Sequence, residues 1–126
     1  MPRSATLTLR HHGSAEINMT NVSFLSLHDS YYFECSGHAE YASAGRDILC
    51  SAVSILCYTL GSYTEKLYNE GVLNDYRSDF SDGQVRISFC FADGADERAH
   101  LEAINAILCG FELLSESFPD YVLTDM

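Results

Sequence analysis

The chain has 126 residues, of which 47% are apolar, and its net charge of −11 arises from 18 acidic against 7 basic side chains. This length and composition exclude a disordered chain and predict a single domain over residues 1–126. The acidic balance disfavours direct nucleic-acid binding, because phosphate contacts need Lys and Arg. It suits a basic protein partner, although solubility alone explains the charge equally well.

The chain carries no sign of a membrane segment or of a secretory signal. The N-terminus, MPRSATLTLR, lacks a long apolar region, and no apolar run reaches the length that a bilayer requires. The odd number of cysteines and the absence of C-x-x-C argue against a disulfide framework and a zinc ribbon. We therefore expect a cytoplasmic protein without a membrane partner.

Two groups of residues have the chemistry of metal ligands but not the required pattern. His11 and His12 have no supporting cluster of cysteines or carboxylates. Asp75, Asp79 and Asp82 lack the spacing of a calcium loop and are typical of a solvated hairpin. We predict neither a metal nor any other cofactor.

Alternation of apolar and polar residues predicts two strand pairs. The first covers 20–27 and 31–36 around a turn at His28-Asp29-Ser30, and the second covers 72–80 and 84–91 around Ser81-Asp82-Gly83. The stretch 5–10 also alternates, so residues 1–19 form either an added edge strand or an irregular arm. YVLT at 121–124 is a candidate last strand.

Apolar residues at steps of three and four predict two amphipathic helices. The first spans about 48–69, with Asp47 as its N-cap and Gly71 after its end. The second spans about 96–117, with Asp96 as its cap, and Pro119 ends it. The predicted core faces are Leu49, Val53, Leu56, Leu60, Tyr63 and Leu67 in the first helix, and Leu101, Ile104, Ile107, Leu108, Phe111 and Leu114 in the second.

The order of elements is therefore ββαββα with a candidate last strand. Hairpins make a sheet antiparallel, so we predict an α+β fold in which a largely antiparallel sheet of four to five strands is covered by two helices. Small residues form a stripe on each helix. These stripes face each other, face a partner subunit, or are simply the flanks of the apolar faces: Cys50, Ser54, Cys57 and Gly61 on the first helix, and Ala99, Ala103, Ala106 and Gly110 on the second.

Cys50 is the residue whose position suggests chemistry. With Asp47 as the N-cap, Cys50 is the third helical residue, where unpaired amides and the helix dipole favour a thiolate and can stabilise an oxyanion. His38 follows the strand at 31–36 and opens a loop, flanked by Gly37 and Gly45, that returns to this helix. A histidine beside a cysteine is the minimum for activating a thiol. From spacing alone, a small core cysteine and an ordinary loop histidine are more common.

Two segments add a resemblance to a known family. Ser36-Gly37-His38-Ala39 and, after a short loop, Gly45-Arg46-Asp47-Ile48-Leu49-Cys50-Ser51-Ala52-Val53-Ser54 resemble the signature of the ribosomal-processing cysteine protease family Prp. The sharp similarity is confined to residues 36–54, within a broader resemblance from about residue 20 onward. The chain departs from the family in its longer N-terminal region, 1–19, and in Ser51, where alanine is frequent.

The resemblance implies a function and a set of roles. Members remove an N-terminal extension from a large-subunit ribosomal protein, which supports ribosome assembly, and they form homodimers. Cysteine is the nucleophile and histidine the base in this family, and these roles fall on Cys50 and His38. Asp47 and Ser54 match further motif positions and are expected to support the site. Gly37 and Gly45 flank a loop expected to close over a substrate peptide.

Other functions stay open at this point. An acidic, non-catalytic module that holds a basic ribosomal protein is the main alternative, and another acyl-transfer hydrolase using the same pair is a third. Of the remaining side chains that could do chemistry, His28 is expected in a turn and His100 on a helix surface. The other four cysteines are expected in packing: Cys35, Cys57, Cys90 and Cys109.

Overall fold

The computed structural model describes residues 19–37 and 46–126, with Arg46 and Asp47 as helical backbone. Its elements in chain order are β1 (Thr20–Leu27), β2 (Ser30–Ser36), α1 (Arg46–Asn69), β3 (Leu73–Ser81), β4 (Gln84–Phe91), α2 (Glu97–Ser117) and β5 (Val122–Asp125). The predicted strand at 5–10 lies outside the described residues.

The five strands form one open sheet in the order β3-β4-β2-β1-β5. Every neighbouring pair is antiparallel except β1 and β5, which run parallel. Both helices pack on one face, α1 towards β3 and α2 towards β5. The predicted two-layer α+β fold and the candidate last strand are confirmed. No helix in the described ranges is both long and apolar enough to cross a membrane.

The core lies between the sheet and the two helices. Alternate residues of β2 and β4 point into it, and the predicted stripes of both helices meet them from the other side. Removing a large apolar side chain from water contributes about 1.5–3 kcal/mol, so this layer supplies most of the favourable free energy. Its largest fully buried apolar members are Phe33, Phe89, Phe111, Leu60, Ile87 and Ile104.

The β1–β2 turn is tighter than predicted. His28 and Asp29 have φ of 52° and 68°, and Ser30 is already the first residue of β2. Two successive residues with positive φ match the twist of a two-residue hairpin, and His and Asp tolerate that region better than most residues. This turn fixes the register in which Leu27 pairs with Ser30.

The start of α1 corrects the prediction that Asp47 is its N-cap. The helix begins at Arg46, so Asp47 lies inside the first turn and Cys50 is the fifth helical residue instead of the third. An acidic residue is favoured both at the cap and in the first turn, so composition alone could not separate these positions. The end agrees with prediction: Gly71 has φ of 81°, and Val72 donates to the Leu67 carbonyl at 2.9 Å.

Helix α2 begins as predicted, because the Asp96 carboxylate accepts a 3.2 Å hydrogen bond from the Ala99 amide. The two stripes of small residues, however, do not face each other. Gly61 lies against the ring of Phe80 in β3, and Gly110 lies against Leu56 of α1. The small-residue stripe on α1 therefore faces the sheet, whereas the stripe on α2 packs against a leucine side chain of α1.

Candidate active site

Cys50 lies in the second turn of α1. It is half-buried, and Ser54 and Cys57 follow it on the same helical face at i+4 and i+7. Because Cys50 is the fifth helical residue, its backbone amide lies beyond the four N-terminal amides that lack intrahelical partners. Side chains on a helix tilt towards the N-terminus, however, so a thiol at this position leans back to the first turn. The helix dipole therefore stabilises a Cys50 thiolate less than it would at the third helical residue, but the stabilising effect is retained.

A cavity of about 390 Å³ opens beside α1, on the helix face that carries Ser54 and Cys57. Helix α1 contributes one wall, and the end of β3, the β3–β4 turn and the start of β4 contribute the other. Ser54 is one turn from Cys50, or about 6 Å along the helix axis. The lining residues are Ser54, Cys57, Tyr58, Phe80, Ser81, Asp82, Gly83, Gln84 and Val85.

Two aromatic rings flank this cavity. Tyr58 and Phe80 stack with centroids 5.2 Å apart and an interplanar angle of 6°. Tyr58 is 59% exposed and Phe80 is 37% exposed, so the pair presents apolar surface to solvent. Together with the polar groups of the turn, the rings give the cavity the mixed lining that suits a peptide side chain.

Gly37 brings the end of β2 to the rim of the cavity. Its amide donates a 3.0 Å hydrogen bond to the carbonyl of Gly83, which is one of the lining residues. Its φ of 82° lies in the left-handed region, and a Cβ atom there would collide with the carbonyl oxygen of Met19. The position therefore requires glycine on two independent grounds.

Two buried thiols lie beneath the cavity. Cys35 of β2 is 1% exposed and Cys57 of α1 is 3% exposed, and both belong to the hydrophobic core. The interaction with the Cys57 thiol, and then burial, raises the pKa of the Cys35 thiol far above its usual value. Cys35 is therefore fully protonated near neutral pH and is excluded as a nucleophile in this state.

The predicted site residues are only partly brought together by the described structure. Cys50 and Ser54 share a helix face, and Gly37 reaches the cavity that Ser54 lines. His38 and Gly45 lie outside the described residues, so the Cys50–His38 pairing remains a prediction.

The other predicted residues divide into two groups. His28 is a turn residue as predicted, and Cys35 and Cys57 are core residues. Cys109 is exposed, which corrects its assignment to packing. His100 is also more than a surface residue: its Nδ1 lies 3.1 Å from the Tyr63 hydroxyl, and its ring stacks on Phe91.

The sequence reasoning missed the aromatic pair Tyr58–Phe80. Tyr58 lies off the apolar stripe of α1, and Phe80 ends an edge strand, so neither belongs to a periodic pattern. The position of Cys57 in the lining of the cavity was also missed. Only the packing of α1 on the sheet reveals it, since no spacing along the chain encodes that position.

Comparisons with known proteins agree with this fold. The model of the family described as cysteine protease Prp matches residues 19–123. The crystal structure of SMU.848 from Streptococcus mutans is similar, with 27% identity and a TM-score of 0.60 over 85% of this chain and 92% of that one. The ribosomal processing protease Prp from S. aureus, solved with a substrate peptide, shares the fold at 15% identity, with a TM-score of 0.58 over 84% of this chain and 97% of that one. None of the curated proteins matches the chain.

Proposed function

The chain belongs to the cysteine protease Prp family, and from that premise we propose that it is an endopeptidase that removes an N-terminal extension from a large-subunit ribosomal protein. Cys50 is the nucleophile in this proposal and His38 is the base. The single observation that carries it is that Cys50 lies within the segment matched by the family and one helical turn from Ser54, which lines the cavity. The S. aureus protein of the same fold is a ribosomal processing protease.

The proposed reaction is acyl transfer through sulfur. His38 accepts the proton of the Cys50 thiol, and the thiolate attacks the scissile carbonyl carbon. The protonated His38 then gives its proton to the leaving amine, which leaves a thioester on Cys50. Water, activated by His38, hydrolyses the thioester and restores the thiol. Amides of the first turn of α1 are the proposed donors to the oxyanion.

The covalent chain supports the pairing of the two residues. Gly37 is held at the cavity rim through Gly83, and His38 is the next residue in the chain. Gly37 and Gly45 bound the segment that we propose closes over the peptide. Ser54 lines the cavity and is proposed to contact the bound peptide, while Asp47 is proposed to organise the first turn from within it.

The cavity supports a peptide substrate in extended form. It begins about 6 Å from Cys50 along the helix axis, and an extended chain advances about 3.3 Å per residue. A side chain about two residues from the scissile bond would therefore enter it. We propose that the cavity holds an apolar side chain against the Tyr58–Phe80 pair, while the acidic protein attracts the basic remainder of the substrate.

A second function is favoured by the net charge of −11 alone. An acidic module without catalysis could hold a basic ribosomal protein during assembly. Both functions place the protein in the cytoplasm, where ribosomes assemble. They differ in what they need from Cys50, because a binding module has no use for a reactive thiol.

The test is to incubate the N-terminal segment of the host ribosomal protein with the wild type, Cys50→Ala and His38→Ala, and to follow its mass by mass spectrometry. One defined cut by the wild type, lost in both variants, is the expected result. Ser51→Ala is the matched control, because Ser51 is an exposed neighbour on the same helix. Binding without cleavage by all four proteins would establish the binding module instead.

We also propose a homodimer, as the family resemblance implies. Three large apolar side chains are exposed on the two helices, in the first half of α1 and near the end of α2: Ile48 at 72%, Ile55 at 60% and Leu113 at 61%. Apolar surface of this kind on outward helix faces favours a contact with a second subunit.

A further inference from the structure

The edge strand β3 leads directly into the cavity. It is the outermost strand on one side of the sheet, and no described strand pairs with its outer edge. Its last two residues, Phe80 and Ser81, line the cavity. The strand at the other side of the sheet, β5, has only four residues, whereas β3 has nine. An extended chain that occupies the cavity can therefore continue along β3.

The register of the β3–β4 hairpin determines which backbone groups of β3 are available at that edge. Ser81 and Gln84 lie opposite each other across a two-residue turn, so they exchange hydrogen bonds, and hydrogen-bonded pairs then alternate along the ladder. Ser78 and Phe80 consequently direct their amides and carbonyls away from β4. The ladder stays regular back to Arg77, before which the register shifts. An extended peptide can pair with these groups as an added strand.

The same strand ends a row of charges on the helix-free face of the sheet. Phe80 lies against Gly61 of α1, so its neighbour Asp79 points to the opposite face. Asp79 lies opposite Arg86 of β4, and Arg86 lies opposite Glu34 of β2. Arg86 forms an ion pair with Glu34 at 3.0 Å, whereas Asp79 forms none within the described part of the chain. The row thus alternates in sign from β2 to β3 and ends in a carboxylate at the open edge.

We propose that the outer edge of β3 binds the substrate peptide as an added strand, with a lysine or arginine of the peptide opposite Asp79. The basic side chain extends the row Glu34–Arg86–Asp79 by a fourth charge of alternating sign, and opposite charges directly across two strands attract each other. The adjacent residue of the peptide points to the other face, where Tyr58 and Phe80 present their rings. The recognised pattern is therefore a basic residue next to an apolar one. This inference rests on the proposed peptidase function and specifies the substrate sequence that it requires.

The experiment uses the full chain carrying Cys50→Ala, so that binding is measured without cleavage. A fluorescein-labelled synthetic peptide with the N-terminal segment of the host ribosomal protein is the ligand, and fluorescence anisotropy measures its affinity. Asp79→Asn in this background should weaken binding roughly two- to fivefold, the effect of one cross-strand charge pair. Asp93→Asn is the matched control and should leave the affinity unchanged, because Asp93 is exposed in the loop after β4, at the end of the sheet opposite the cavity.

A charge exchange identifies the partner of Asp79. Each lysine and arginine of the peptide is replaced by glutamate in turn, and every peptide is measured with the Cys50→Ala protein and with the same protein carrying Asp79→Lys. At one position, next to an apolar residue, glutamate should weaken binding to the first protein and restore binding to the second. Failure of Asp79→Lys to restore binding at any position would overturn the role of Asp79.

Ser78→Pro tests the added strand itself. Proline removes the outward amide of Ser78, and an edge strand tolerates it where that amide faces solvent, so the protein should stay folded in urea titrations while binding falls about three- to tenfold. Methylation of single backbone amides in the peptide is a second measurement that leaves the protein unchanged. The losses of affinity should recur at every second residue. Losses without this period of two would overturn the added strand, and so would a change of sedimenting mass in Ser78→Pro, which identifies the edge as a contact between copies of this chain.

Cleavage of the same peptide by the wild type is measured in parallel, so that the two proposals can fail separately. Cleavage together with an affinity that neither Asp79→Asn nor Ser78→Pro changes would overturn the added strand and leave the proposed function intact. Binding that both substitutions weaken, without any cleavage, would support the added strand and contradict the peptidase.

Discussion

The amide of Gly37 donates a 3.0 Å hydrogen bond to the carbonyl of Gly83, which joins the end of β2 to the β3–β4 turn. Two elements that are far apart along the chain thus meet at the rim of the cavity. The bond fixes the position of Gly37, the last described residue before the predicted base His38. Any substitution that moves Gly37 should therefore disturb both folding and the proposed catalysis.

Replacing Gly37 by alanine should lower the free energy of unfolding by about 2–4 kcal/mol, since the change combines positive-φ strain with a backbone collision. Urea denaturation measures this loss. Gly94→Ala is the matched control, because Gly94 has φ of 85° and a Cβ atom there would meet nothing within 4 Å, so only the strain of about 1 kcal/mol remains. Equal losses of unfolding free energy in Gly37→Ala and Gly94→Ala would show that the collision with the Met19 carbonyl oxygen is unimportant.

Tyr58→Ala should raise KM for a peptide substrate about tenfold while changing kcat little, because it removes one wall of the cavity but no reacting group. Steady-state kinetics measure the two constants. Tyr68→Ala is the control: Tyr68 stacks on Tyr76 with centroids 5.1 Å apart, but it does not line the cavity. A similar rise of KM in both variants would argue for a general effect of losing a stacked pair.

Thr64→Val tests a buried polar contact in α1. The Thr64 side chain is 0% exposed, and its hydroxyl donates to the Leu60 carbonyl at 2.9 Å and lies 2.9 Å from the Tyr76 hydroxyl. Valine keeps the shape but leaves Tyr76 without this partner, so thermal or urea unfolding should show a loss of about 1–3 kcal/mol.

Thr59→Val provides the comparison for that result. Thr59 donates to the Ile55 carbonyl at 2.6 Å in the same manner, but it is exposed, and water replaces the lost bond. Its free energy of unfolding should change by less than about 0.5 kcal/mol. A small change in Thr64→Val as well would mean that Tyr76 finds another partner.

Stability should fall at high pH through Tyr31. Burial, and then the 2.8 Å hydrogen bond to Glu97, raises the pKa of Tyr31 to about 12 from 10.0. Because the folded state favours the neutral phenol, this contribution is complete below pH 10 and is lost as the pH rises to about 12. Unfolding titrations over this range should show a shallower decline in Tyr31→Phe.

Glu97→Gln separates the two causes of that shift. It removes the negative charge but leaves Tyr31 in place, so it should flatten the decline only in part, because burial is the larger cause. A decline unchanged in Tyr31→Phe would assign the pH dependence to other groups.

The proposed dimer predicts a change of mass in solution. Ile55→Lys should shift the protein to a monomer in analytical ultracentrifugation, because it places a charge on the exposed part of α1 that also carries the apolar side chain of Ile48. Ser62→Lys, also exposed on α1, should leave the mass unchanged. A wild type that sediments as a monomer would contradict the dimer directly.

Much of the fold could be predicted because its signals are local. The hairpins, the apolar stripes and the Asp96 cap each depend on residues that are neighbours along the chain. Two boundaries are corrected, one at Ser30 and one at the start of α1. At both ends, neighbouring positions favour the same residue types, so composition does not separate them. Strand order and the parallel pairing of β5 depend on tertiary packing, which periodicity does not specify.

The site could be predicted only as far as its motif extends. Cys50 and Ser54 were identified by a local pattern, and Ser54 lines the cavity. Cys57, Tyr58 and Phe80 come together around the cavity only when α1 packs on the sheet. Such contacts join residues from separate elements, so no signal in a single sequence reveals them.

The parallel ladder between β1 and β5 has a consequence for how the protein is made. Thr20 pairs with Val122, and Ser23 pairs with Asp125, so one edge of the sheet joins segments from opposite ends of the described chain. Closing so long a loop delays that pairing relative to the hairpins. During vectorial synthesis the hairpins and α1 can form early, whereas β1 keeps an open edge until residue 125 has been translated. A peptidase built in this way completes its architecture only after nearly all of this sequence has left the ribosome.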